Sequence, residues 1–136
     1  MHHRGAAAAL GAVTLTLALV CAGVASAHEP QSNNGVTVTL HVDPDDAPVA
    51  GQPATVLFEE VRVGKGTTFT WRTCACTLTV AGGAGTTLSK GPASRVNRFT
   101  FPEPVAYQLT LAGRVKRGTA WKAFKVAWAL RAEPAS

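Results

Sequence analysis

Two histidines and two cysteines carry most of the chemistry that this 136-residue chain can offer beyond its first segment. His28 follows Ala25-Ser26-Ala27, which closes an apolar run from Ala6 to Ala25 behind a weakly positive start, Met1-His2-His3-Arg4. Positive start, apolar middle and small residues two apart before a cut make a secretory signal peptide, with cleavage expected after Ala27. The mature chain then begins at His28, whose free amine and imidazole Nδ1 can hold one edge of a Cu(II) square plane. His41 or a carboxylate would complete that plane. A lipoprotein signal needs a small residue before its cysteine, and Val20 precedes Cys21. The apolar run is also about long enough to serve as an uncleaved anchor, but the Ala-Ser-Ala ending favours cleavage. No later stretch is long or apolar enough to insert stably in a membrane once the signal is gone.

Cys74 and Cys76 are the cysteines left after residues 1–27 are removed. An exported pair of this kind tends to be oxidised, metal-bound or buried. On an extended strand their sulfurs share a face yet stand too far apart for a relaxed disulfide, or for joint hold on one soft ion such as Cu(I). Either bond requires a kink, and the alternation itself calls for one at Arg72-Thr73. Packing with Leu78 and Val80 as small buried thiols is the third alternative. The metal candidates are therefore His28, His41, Cys74 and Cys76, with copper the expected ion. Asp43, Asp45 and Asp46 lack the glycine and distal glutamate of the helical calcium loop, so they read as a solvated turn in which an aspartate caps its own backbone. Trp71, Trp121 and Trp128 read as core. The usual acid, base and nucleophile roles go unfilled, which argues against an enzyme.

The remaining 109 residues suffice for one domain with a real core. They hold 12 Lys+Arg, scattered except at Arg114, Lys116, Arg117 and Lys122, against 8 Asp+Glu. A solvated hairpin tip explains that cluster most simply, and contact with an anionic envelope surface is the lesser reading. Export argues against a nucleic-acid partner.

The elements that must position these residues are strands. Val36, Val38, Leu40 and Val42 alternate with polar residues, and His41 projects from the polar face. Ala54 to Val63 is a second strand of mixed phase, which implies a bulge or burial on both faces. Phe69 and Trp71 share a face before the phase shifts at Arg72-Thr73. Cys74 to Val80, Val96 to Phe101, Val105 to Leu111 and Phe124 to Leu130 follow, with Thr86–Ser89 a short return and Gly113–Thr119 a basic loop. The division is a signal peptide over 1–27, a flexible N-terminal arm over 28–35, a domain over 36–132 and a tail over 133–136. About seven strands in roughly 100 residues, with no helical period, indicate an all-β, immunoglobulin-like antiparallel β-sandwich. Tyr107 stands where such sandwiches carry a corner tyrosine bonded to backbone.

Gly51-Gln52-Pro53-Ala54-Thr55, the Phe101-Pro102-Glu103-Pro104 turn and Tyr107-Gln108-Leu109-Thr110-Leu111 together resemble bacterial exported immunoglobulin-like domains of the YtkA-like kind, over about residues 36–131. That resemblance implies an envelope or metal-handling setting without an agreed catalytic site. The exposed first histidine is similar to the start of CopC-type periplasmic copper carriers, and His28 is the residue that carries this likeness. The expected function is an exported, non-enzymatic domain of the periplasm, cell envelope or extracellular space that binds copper or another soft ion for handling or delivery. The alternative is a structural or interaction module of the envelope, with an envelope or secreted protein as partner and no metal.

Overall fold

The computed structural model describes residues 25–136, and the expected signal segment lies outside the described residues except for its last three. The fold is all-β: the described residues form ten strands and no helix, so none of them is in a helix long and apolar enough to cross a membrane. These are β1 (Ala25–Ser26), β2 (Pro30–Asn33), β3 (Val36–Asp43), β4 (Pro53–Val63), β5 (Thr67–Thr68), β6 (Thr77–Gly82), β7 (Thr87–Pro92), β8 (Val96–Thr100), β9 (Ala106–Arg117) and β10 (Ala120–Arg131). One sheet runs β1-β10-β9-β6-β7, with β5 also on β9; the other runs β2-β3-β4-β8. All pairings are antiparallel except the two-residue contact of β1 with β10.

Alternation builds the layers. Val36, Val38, Leu40 and Val42 turn one face of β3 inward, and Leu109, Leu111 and Trp128 do so from the other sheet, all at 0 % exposure. The two faces meet in one core, where Phe58 of β4 lies 6.0 Å from Trp128 of β10, ring centre to ring centre. Such contacts between large aromatics supply much of the area that holds two sheets together. The mixed phase of β4 is a bulge: Thr39 pairs with Glu60 and Leu40 with Phe58, so Glu59 is the extra residue.

Three expectations change. Residues 28–35 are not a free arm, because Asn34 and Gly35 both adopt positive φ. That is the geometry of a tight hairpin turn, and it folds β2 back onto β3. The basic loop over 113–119 shrinks to Gly118-Thr119, since Arg117 pairs with Ala120 and Val115 continues the buried phase of β9. Trp121 is 44 % exposed rather than core.

The strands end in two opposed groups. Asp43, Pro53, Thr100, Ala106 and Arg131 lie at one end, where Gly51 N donates to Phe101 O at 2.8 Å and Glu133 N to Pro48 O at 2.7 Å. Tyr107 closes that end: its hydroxyl donates to Glu103 O at 2.8 Å and accepts from Glu103 N at 2.9 Å, the corner expected of it. Val36, Val63, Arg117 and Ala120 lie at the other end, where Gly64 N reaches Gly35 O at 3.2 Å. With 12 residues in β10, the ends are about 35–40 Å apart at roughly 3.3 Å per residue.

Candidate metal centre

His41 is placed by the alternation of β3, whose inward neighbours Leu40 and Val42 send it to the outer face. Beyond it the chain turns back sharply. Asp46 N donates to Val42 O, and Val42 N donates to Asp46 Oδ1, both at 2.7 Å. The aspartate thus caps the strand it has just left, as expected of this turn, with Asp45 and Asp46 at positive φ of 50° and 54°. Aspartate tolerates that left-handed region better than most side chains. The same bond aims the Asp46 carboxylate at His41.

His28 arrives from the other sheet. β1 runs beside β10, Ala27 N donates to Ala129 O at 3.0 Å, and Glu29 N to Ser26 O at 3.3 Å turns the chain towards β2. Trp128 Nε1 holds the exit by donating to Glu29 O at 2.8 Å. His28 takes φ 78° within this turn. Non-glycine residues held at positive φ cost free energy and gather where local geometry serves a site. His28 and Asp46 both lie in that region.

The result is a compact cluster. His28 Nδ1 lies 3.4 Å from Asp46 Oδ2, and His41 Nδ1 lies 3.1 Å from Asp46 Oδ1. The imidazoles stand edge to face with centres 5.6 Å apart. One donor atom from each of His28, His41 and Asp46 falls within 4.8 Å of the others. Two donors about 2.0 Å from a shared ion stand at most about 4 Å apart, so closure on an ion needs shifts of about 1 Å or less. Two imidazoles and a carboxylate suit Cu(II) or Zn(II) better than Cu(I), which favours thiolate.

His41 is the pivot. Its Nε2 meets Asp43 Oδ1 at 2.8 Å. Its Nδ1 is buried and, among the described residues, has an Asp46 carboxylate oxygen 3.1 Å away without a well-formed hydrogen bond. Burial lowers the pKa of this imidazole, but the Asp43 hydrogen bond and the charges of Asp46 and Asp43 outweigh it, leaving a net rise above the ordinary 6.5. A shallow depression lined by Ala27, Asp46, Ala47, Arg131 and Glu133 adjoins the cluster.

Of the four expected ligands, the structure brings together His28 and His41 and keeps the cysteines apart from them. Cys74 and Cys76 are joined as a disulfide, so in this state neither offers a thiolate. They precede β6 rather than lying on it. The chain turns as Cys74 N donates to Thr70 O at 3.0 Å, which supplies the kink anticipated at Arg72-Thr73. Ala75 at φ 47° then folds the intervening residue out, and the two Cα atoms come to 5.1 Å, within bonding range. Arg114 N donates to Cys74 O at 2.9 Å, which puts the pair on the half of the molecule away from His28. Asp46 is the candidate ligand that the pattern alone did not select. Its signal was the Asp43-Pro44-Asp45-Asp46 turn immediately after a histidine-bearing strand. Neither family models, curated proteins nor solved structures give a match to this chain.

Proposed function

We propose that this chain is an exported, non-enzymatic immunoglobulin-like domain that holds a divalent copper ion between His28, His41 and Asp46 for handling or delivery. The observation that carries the reading is the convergence of donor atoms from His28, His41 and Asp46 within 4.8 Å of one another, with the His41 Nδ1 buried among them. A ring nitrogen stripped of water needs a partner; the Asp46 carboxylate supplies one to the protonated ring, and an ion among these donors would supply one to the neutral ring. Cu(II) is the strongest divalent competitor for nitrogen and oxygen donors. The Tyr107 corner and the two facing sheets support the immunoglobulin-like reading. Cleavage after Ala27 would add the His28 amine as a further donor and would remove β1 with its bonds to β10 and to Glu29, leaving the Trp128–Glu29 tie to hold the new terminus beside the cluster.

Titration with Cu(II), read by calorimetry and electron paramagnetic resonance, tests this on the intact and processed chains. Both should bind through nitrogen, the processed form more tightly, and His41→Ala should weaken binding at least tenfold. Equal copper affinity in wild type and His41→Ala would remove the metal from the reading. The alternative, an envelope module without metal, is favoured by the His41–Asp43 hydrogen bond, which lets the imidazolium serve as a clamp on its own loop.

A further inference from the structure

The end of the molecule opposite the histidines carries a different chemistry. Lys65, Arg72, Arg114, Lys116, Arg117 and Lys122 are all exposed there. The fold gathers them from three segments. Arg117 and Lys116 pair with Thr67 and Thr68 of β5, which puts the β9–β10 hairpin against the turn that holds Lys65. Gly118 N donates to Gly66 O at 3.0 Å at the tip. Arg114 Nε donates to Thr73 O at 3.1 Å, which brings in the Arg72 turn. Among the described residues none of the six cations lies within ion-pair distance of a carboxylate; Glu60 on β4 is taken by Arg62 at 3.3 Å. The sheet to which the hairpin belongs has seven Lys or Arg and no Asp or Glu in its strands.

Trp121 stands among these cations, with the Arg114 guanidinium 4.1 Å and the Lys116 ammonium 5.7 Å from its ring. It is the exposed aromatic among the large exposed apolar side chains, which otherwise are Leu88, Val96 and Val105. We propose that this end is a docking surface for an anionic phospholipid bilayer, with Trp121 at the headgroup level and the cations on lipid phosphates. Like charges left without carboxylate partners at one end create a field that reaches outward. An indole flanked by Lys and Arg is the composition that binds at a membrane interface, apolar ring inward and charge at the phosphates. A sugar chain would be served better by a groove with acceptors for its hydroxyls, and these six side chains bring donors alone. The docked protein would hold its histidine end away from the bilayer by roughly the 35–40 Å length of the strands. This inference stands apart from the copper reading, since the two ends share no residue.

The experiment uses the whole chain with vesicles of phosphatidylcholine, with and without phosphatidylglycerol, and acyl-brominated lipid to quench tryptophan at the interface. The difference between wild type and Trp121→Phe isolates the signal of Trp121, whatever the segment before residue 25 contributes. Quenching of Trp121 should require phosphatidylglycerol and should fade with added salt. Lys116→Gln with Lys122→Gln should raise the phosphatidylglycerol needed about 25-fold, at about fivefold per cation, while Arg98→Gln on β8 should change nothing. Thermal melts of the variants that match wild type show that the fold is intact. Quenching without anionic lipid, a double variant that behaves as wild type, or binding to soluble polygalacturonate without quenching by phosphatidylglycerol vesicles would each overturn the proposal.

Discussion

The two ends of this sandwich use charge in opposite ways. At the histidine end Asp43 and Asp46 flank His41 at 2.8 and 3.1 Å, and Asp46 also faces His28 at 3.4 Å. With the imidazoles protonated, opposite charges at that range fix side chains and spend their field on one another. At the hairpin end six cations stand exposed without carboxylate partners among the described residues, and the field remains available to something outside the molecule. Close pairing thus makes a site the size of an ion, and unpaired like charge makes a surface the size of a macromolecule. Both ends are tied by hydrogen bonds between side chain and backbone, and at the hairpin end backbone also packs closely on the disulfide.

The sharpest way to break this contrast is at Gly113. A Cβ there would stand 2.6 Å from Cys76 Sγ, 3.0 Å from Cys74 O and 3.1 Å from Phe124 Cε1. No real side chain fits that space without moving backbone or the disulfide. Gly113→Ala should therefore lower stability by about 1–3 kcal/mol in urea denaturation, the usual cost of overpacking. Replacing Lys116 by Gln should change it by no more than about 0.5 kcal/mol. A Gly113→Ala protein as stable as wild type would mean that packing does not hold this end.

Asp46→Ala comes next in size. It strips Val42 N of the acceptor it meets at 2.7 Å and removes the carboxylate shared by both histidines. Losing the partner of a part-buried amide costs about 1–2 kcal/mol. Asp45→Ala, whose side chain makes no hydrogen bond or ion pair among the described residues, is the matched control. Equal losses from the two substitutions would show that turn conformation, rather than the Asp46 cap, holds the loop.

Much of the sandwich was legible in alternation. Leu78, Val80 and Trp128 were expected inside and are buried, and so are Val38, Leu40, Tyr107, Leu109 and Val126 of the alternating strands. What alternation could not reveal is instructive. β2 reads Pro-Gln-Ser-Asn, an edge strand with nothing to bury, so its evidence lay in the Asn34-Gly35 turn rather than in its own residues. Gly113 looked like the start of a loop because the sequence does not display the disulfide that needs the space. The cysteines shared a parity with Leu78 and Val80, but positive φ at Ala75 takes them off the strand. At the site, the histidines were visible as residue types with free electron pairs. Asp46 was not, because its role depends on a turn that folds it back four residues onto Val42.

The smallest effect tests whether the histidine end is a charge clamp before any ion binds. His41 faces Asp43 and Asp46, with the His28 ring beside it, and its pKa is raised above 6.5 once folding brings the carboxylates near. A group whose pKa rises on folding binds its proton more tightly in the native state. Its contribution is complete below about 6.5, and it fades as pH climbs through the higher folded value. Stability of the protein in chelator should therefore fall between about pH 5.5 and pH 8.5 relative to His41→Gln, which has no such proton to lose. Asp43 is 60 % exposed, so solvent screens the pair and the difference should stay below about 1 kcal/mol. Urea midpoints for the two proteins at both pH values measure it. A gap that widens with pH would reverse the sign and show that burial, which favours the neutral ring, outweighs the two carboxylates.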